Sequence, residues 1–149
     1  MLFRSANDIV EALSSYCPTN NRSQVVETGK NRVIMDAYNA NPTSMCHAIK
    51  NFRNICKDDN LLILGDMREL GDESWQEHKT IIGLIKELGF KKVYLVGEEF
   101  SKCSKSSEYS SFDNVEELAH YLQEHPVSGL DILVKGSNSV HLNKIIDSL

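Results

Sequence analysis

The chain has 149 residues, 41% of them hydrophobic and 25% charged, enough for one globular domain with its own core and too few for two full-sized ones. Its 16 Lys and Arg against 21 Asp and Glu give a formal net charge of −5, with the basic residues scattered, which excludes the electrostatic footprint of a nucleic-acid or anionic-lipid binder. No apolar run approaches the roughly 20 residues of a membrane helix, and the N-terminus lacks the apolar stretch of a secretory signal, so a cytoplasmic protein without membrane insertion is expected.

In chain order, Asn7 to Tyr16 reads as a short amphipathic helix with Ile9, Val10 and Leu13 on one side. The segment CPTNNRSQ follows, where Pro18 forbids helix continuation and paired asparagines favour irregular backbone. Val25 to Glu27 and Arg32 to Ala37 are extended in character. A helix over Pro42 to Cys56 has Asn41 as N-cap, Pro42 at its first position, and an apolar stripe of Met45, Ala48, Ile49, Phe52 and Ile55. Leu61 to Leu64 is a wholly apolar strand. A helix over Glu73 to Leu88 carries Trp75, Ile81, Ile82, Ile85 and Leu88 and stops at Gly89. Val93 to Val96 is the next strand, and the serine-rich stretch Ser101 to Ser111 reads as loop. A helix over Asn114 to Glu124 takes Asp113 as its cap, Asp131 to Val134 is the last strand, and Val140 to Leu149 the last helix. Strands without alternation, each followed by an amphipathic helix, predict an α/β fold: a Rossmann-like, open, mainly parallel sheet with helices on both faces.

Cys17, Cys46, Cys56 and Cys103 form no CxxC pair and no metal-like spacing. Cys46 and Cys56 lie on one predicted helix, roughly 15 Å apart at about 1.5 Å per residue, too far for a disulfide. Free thiols serving as small apolar groups are expected. The five histidines include no HExxH, and no metal site is expected.

Ligands of an open parallel sheet collect beyond the carboxyl ends of its strands. Three such ends carry unusual polar sequences. Asp36-Ala37-Tyr38-Asn39-Ala40-Asn41-Pro42-Thr43-Ser44 combines a carboxylate, two amides and a capped helix N-terminus, groups suited to ribose hydroxyls and phosphate oxygens. Leu64-Gly65-Asp66-Met67-Arg68-Glu69-Leu70-Gly71 sets two acids and an arginine between a strand and a helix, suited to a substrate amine or to a solvated turn. Val134-Lys135-Gly136-Ser137-Asn138-Ser139 has Lys-Gly-Ser rather than the Gly-Lys-Ser of a P-loop and lacks its glycines, leaving a lysine beside free N–H groups, suited to a carboxylate or phosphate. There is no GxGxxG, and no Ser-His-Asp, Cys-His or paired-carboxylate arrangement. The residues alone give a nucleotide- or anion-facing edge without a catalytic engine.

DAYNANPTSM at Asp36 to Met45, LGDMRELG at Leu64 to Gly71 with His78 downstream, and KGS at Lys135 to Ser137 together resemble the C-terminal domain of the Mur ligases. Within that family they are most similar to the members that join D-alanyl-D-alanine to UDP-N-acetylmuramoyl-tripeptide in peptidoglycan synthesis. YCPTNNRSQ at Tyr16 to Gln24 resembles the junction with the family's central ATPase domain, so residues 1–20 are expected to be that domain's tail and linker and residues 21–149 the C-terminal domain. The family's P-loop, magnesium-holding carbamylated lysine and uridine-nucleotide-binding N-terminal domain are absent, and Asn138 stands where the family often has arginine. The resemblance implies an excised domain, inactive alone, whose partners are its own N-terminal and central domains.

It also implies an ATP-dependent carbon–nitrogen ligase as full-length protein: the tripeptide carboxylate takes the ATP γ-phosphate, and the dipeptide amine attacks the acyl phosphate. ATP and Mg2+ would be held mostly by the central domain. Asp36 would hold the ribose, Asn39 and Asn41 would lie near the phosphates, and Arg22 would be the catalytic cation beside the transferring group. Asp66 and Glu69, with Lys135 and Ser137, would bind the dipeptide, Lys135 taking its carboxylate and an acid its amine. Two other readings stand beside this one: a folylpolyglutamate-type ligase, against which Asn39-Ala40-Asn41 argues because a histidine is expected near Asn39, and a non-catalytic nucleotide-binding or interaction module.

Overall fold

A strand that is apolar at every position needs cover on both faces, and the four inner strands have it. The computed structural model describes residues 23–149; the helix expected over 7–16, the boundary at residue 20, Cys17 and Arg22 lie outside them. The strands are β1 (Gln24–Glu27), β2 (Arg32–Asp36), β3 (Asn60–Gly65), β4 (Val93–Val96), β5 (Ser110–Phe112) and β6 (Asp131–Lys135). They form one sheet in the order β1-β2-β6-β3-β4-β5. β1 pairs antiparallel with β2, and every other pair is parallel. The Rossmann-like, mainly parallel α/β fold is therefore present. β6, the last strand in sequence, lies between β2 and β3, which brings its end beside both motif loops.

Helices α1 (Pro42–Ile55), α2 (Ser74–Glu87) and α3 (Glu98–Ser104) lie on one face. There Met45, Ile49, Phe52, Ile81, Ile85 and Phe100 pack on Leu62, Leu64, Leu95 and Leu133. Helix α4 (Val115–Glu124) covers the other face together with the C-terminal segment. Leu118, Leu122, Leu142 and Ile145 meet Val33, Leu61, Ile63, Ile132 and Val134 there. Consecutive residues of β3 thus enter opposite cores, which is why the strand shows no alternation.

Several expected elements differ. The Ser101 to Ser111 stretch holds the end of α3 and the edge strand β5, because Phe100, Cys103 and Tyr109 are buried and Ser110 and Phe112 pair with Tyr94 and Val96. Helix α4 is capped by Asn114, whose side chain accepts from Glu117 N–H at 2.9 Å, not by Asp113. The C-terminal helix is replaced by two 3₁₀ segments, Asn138–Val140 and Leu142–Ser148, separated by His141 in left-handed conformation (φ 59°), which breaks the α-helical path. The apolar stripes are narrower than their composition: Ile55 is 61% exposed and Trp75 50%, with Lys79 Nζ 4.5 Å from the indole centroid. Cys46 and Cys56 are half-buried and Cys103 buried, all three as free thiols.

Candidate functional site

The first motif loop begins where β2 ends. Ala37 and Ala40 are buried while Tyr38 and Asn39 are exposed, so the small residues fasten the loop and the polar ones line its outer side. Asn41 caps α1: its Oδ1 accepts from Ser44 N–H at 2.8 Å, and its own N–H donates to Ser44 Oγ at 3.1 Å. The first turn of α1 contains no acid, leaving its positive end uncompensated. Ser23, Asp36, Tyr38, Asn39, Ser44 and Lys135 line an open cleft of about 430 Å³ over this end. Asp36 and Asn39 are thus brought together as the sequence predicts. Asn41 is beside them, but its carbonyl oxygen is occupied by the cap.

Lys135 is not where the sequence reasoning puts it. It ends β6 only 3% exposed, and its ammonium donates to Asp36 Oδ2 at 2.9 Å and to Asn39 O at 3.0 Å. The expectation of a lysine aimed at a dipeptide carboxylate is corrected: a cation buried this far needs paired acceptors, and both of them belong to the first loop. Ser137 is also buried. Its N–H donates to Asp66 O at 3.1 Å and its hydroxyl lies 3.1 Å from Ser139 Oγ.

Asp66 is corrected too. Expected to receive a substrate amine, it is fully buried and accepts backbone N–H groups from Glu99 (3.0 Å) and Phe100 (2.9 Å) at the start of α3. Its carboxylate fills the space a side chain at Gly97 would need, since a Cβ there would lie 2.3 Å away. Burial pushes the Asp66 carboxyl above the ordinary carboxylate range, opposed by those two N–H groups. His78, also fully buried, lies 3.8 Å from Asp66 and edge-on to Phe100. Its Nε2 accepts from Met67 N–H at 3.1 Å, which leaves the ring proton on Nδ1 to donate to Ser74 O at 2.7 Å. The pair Asp66–His78 thus ties the loop, α2 and α3 together from inside. Glu69 stays at the surface, in left-handed backbone (φ 62°).

A second polar cleft, about 300 Å³, opens on the other side of β6. Arg68, Glu98, Asn114, Ser139 and His141 line it, and Arg68 Nε donates to Ser139 Oγ at 3.0 Å. The sequence analysis did not assign Glu98, Asn114 and His141 to a site because they follow β4, β5 and β6 in separate loops. The signal available was Gly97 at a strand end. A further cleft of about 370 Å³ sits at the opposite end of the sheet, where Arg53, Lys91 and Lys92 line it beside the carboxyl ends of α1 and α2. Basic residues there complement the helix dipoles. Among the described residues, no three His, Cys, Asp or Glu side chains converge as metal ligands would.

Residues 21–138, from before β1 through the KGS loop, match the model of the Mur ligase glutamate ligase domain. The chain belongs to the Mur ligase family. A UDP-N-acetylmuramoyl-tripeptide–D-alanyl-D-alanine ligase from Rickettsia prowazekii is 34% identical over 139 residues, covering 91% of this chain and 31% of that protein. A crystal structure of MurF from Acinetobacter baumannii superposes with a TM-score of 0.76 at 29% identity, over 96% of this chain and 32% of that one. The MurF ligase of Thermotoga maritima, solved in complex with ADP, shares the fold at a TM-score of 0.73 and 21% identity, over 95% of this chain and 35% of its own. The chain therefore spans about a third of the length of the Mur ligases it matches. No helix among the described residues is long and apolar enough to cross a membrane.

Proposed function

We propose that this chain is the C-terminal domain, residues 21–149, of a longer ATP-dependent ligase that joins D-alanyl-D-alanine to UDP-N-acetylmuramoyl-tripeptide through an acyl phosphate, in the cytoplasm. The observation that carries the proposal is the pair of clefts at one carboxyl edge of the sheet, separated by β6: a two-ligand edge on a domain whose relatives join two substrates.

The first cleft takes the nucleotide. Asp36 Oδ2 holds Lys135, and its second oxygen, with no partner among the described residues, accepts a ribose hydroxyl. Asn39 and the uncompensated end of α1 face the phosphates. The tripeptide, most of the ATP contacts and the magnesium that accompanies it belong to the central and N-terminal domains of the full-length protein. Arg22, outside the described residues, is the cation assigned to the transferring phosphate.

The second cleft takes the dipeptide. Arg68, held by Ser139, presents a guanidinium for its carboxylate, while Glu98 in the cleft, with the exposed Glu69 next to Arg68 in sequence, presents acid for its ammonium group. The catalytic gain available to this domain is positioning: the amine is brought to an acyl phosphate while cations offset the phosphate charge.

The test is phosphate release and product formation by the full-length protein with ATP, UDP-tripeptide and D-alanyl-D-alanine. Release that requires all three substrates is expected from the full-length protein and not from this chain alone. Release independent of the dipeptide, or turnover by the isolated chain at about 1 per second or faster, refutes the proposal.

A further inference from the structure

We infer that Lys135 is a positioning residue for the nucleotide, acting through Asp36 and Asn39, and that the Lys135-Gly136-Ser137 triplet joins the two clefts into one rigid edge. The inference rests on the two-cleft reading above and goes beyond it by assigning a role to the buried lysine.

Each residue of the triplet is committed to a neighbour. In the parallel pair β2–β6, Asp36 stands opposite Lys135, so their side chains leave adjacent strand ends together. The ammonium reaches Asp36 Oδ2 and continues to Asn39 O, three residues further along the loop. A lysine suits this task because its compact charge and rotatable donors serve two separate acceptors, a carboxylate oxygen and a backbone carbonyl. Gly136 lies so close to β3 that a Cβ would sit 2.8 Å from Gly65 Cα, which presses the two loops together. Ser137 N–H then bonds Asp66 O, and two residues on, Ser139 Oγ receives Arg68. The end of β6 therefore sets the first loop from one side and the Arg68 loop from the other.

Without the ammonium, the Asp36 carboxylate has no counter-charge and the Asn39 carbonyl no donor among the described residues. The carboxylate would then reorient toward water in the cleft, and the ribose acceptor would no longer be fixed. A ligand-binding lysine would behave differently, since its loss would leave the loop in place and weaken the ligand it touches.

The experiment uses the full-length protein. Lys135→Met is expected to raise the ATP Kd, by calorimetry, and the KM for ATP about tenfold or more, while the KM for the amine substrate stays within about threefold. Asp36→Asn should produce a rise of similar size. Because the lysine acts through Asp36, the double variant should be no worse than about twofold beyond the worse single one. Should Lys135→Met not fold, Asp36→Asn carries the test, with the ammonium resonance of Lys135 as a second readout that should shift both on ATP addition and on that substitution. A loss of thermal stability with both KM values and the ATP Kd unchanged overturns the inference, as does a raised amine-substrate KM with ATP binding intact or full additivity in the double variant. If the wild-type protein binds ATP but performs no ligation, the ligase reading fails and the Kd ratios still decide the role of Lys135. If it binds no ATP, both fail.

Discussion

Asp36 and Asp66 occupy equivalent places, each at the end of an apolar parallel strand that leads into a helix, yet they do opposite work. Asp36 keeps its side chain 20% exposed at the mouth of an open cleft. Asp66 is fully enclosed and spends both oxygens on the first N–H groups of α3. The difference comes from the neighbouring strand end. Beside Asp66 lies Gly97, which has no side chain and a φ of 120°, so the carboxylate folds over it onto the helix. Beside Asp36 lies Lys135, which pulls the carboxylate sideways and leaves its other oxygen open. An acid at a strand end stays open to a cleft or becomes a structural cap according to the residue across the sheet.

The largest effects belong to the buried acid. Gly97→Ala places a methyl group on the Asp66 carboxylate and forces alanine into a left-handed backbone, and it should cost about 3 kcal/mol or more. Asp66→Ala orphans two backbone donors and should cost about 2–4 kcal/mol. Urea unfolding reads both, and a loss below about 1 kcal/mol for either would contradict the cap. The raised folded-state pKa of Asp66 adds a pH signature. For a carboxyl whose pKa is raised on folding, the contribution to stability is fully present below the unfolded value of 3.8 and is lost as pH rises through the folded one. Asp66→Asn, which cannot ionise, should remove that falling segment from the stability-versus-pH curve.

The exposed acid should affect binding instead. In the full-length protein, Asp36→Ala should weaken ATP by about 1.5–3 kcal/mol, a tenfold or greater rise in Kd, with the dipeptide KM little changed. Unchanged ATP affinity with a damaged dipeptide KM would show that the clefts are assigned in reverse.

Arg68 is exposed, and its bond to Ser139 lies at the surface, so Arg68→Ala should leave stability within about 0.5 kcal/mol. It should raise the dipeptide KM about tenfold if the second cleft holds the carboxylate. A KM within error of wild type would remove the arginine from that site. The smallest effect is at Glu69, whose left-handed backbone glycine adopts freely. Glu69→Gly should stabilise the fold by a few tenths of a kcal/mol up to about 1, measured by thermal unfolding.

Much of this molecule was legible from local chemistry. Continuous apolar runs at Leu61 to Leu64 and Ile132 to Val134 read as strands covered on both faces, and Asn41-Pro42 reads as a helix start. The motif spacing was sufficient to place the chain in its family. Local signals failed where the partner is distant in sequence. Strand β5 exists because Tyr94 and Val96 offer a free edge to a stretch whose serines otherwise read as loop. The last segment is 3₁₀ because His141 turns left-handed. Lys135 and Asp66 read as ligand groups in one dimension, since polar residues after apolar strands ordinarily face solvent. Only the insertion of β6 between β2 and β3 brings Lys135 to Asp36, and only the β3–β4 pairing sets Asp66 against Gly97. Sequence by itself determined most of the elements and the family, because periodicity and capping act within a few residues. The tertiary structure decided which charged groups face an open cleft and which are enclosed, because whether a charge is buried or free depends on a partner some 30 to 100 residues away.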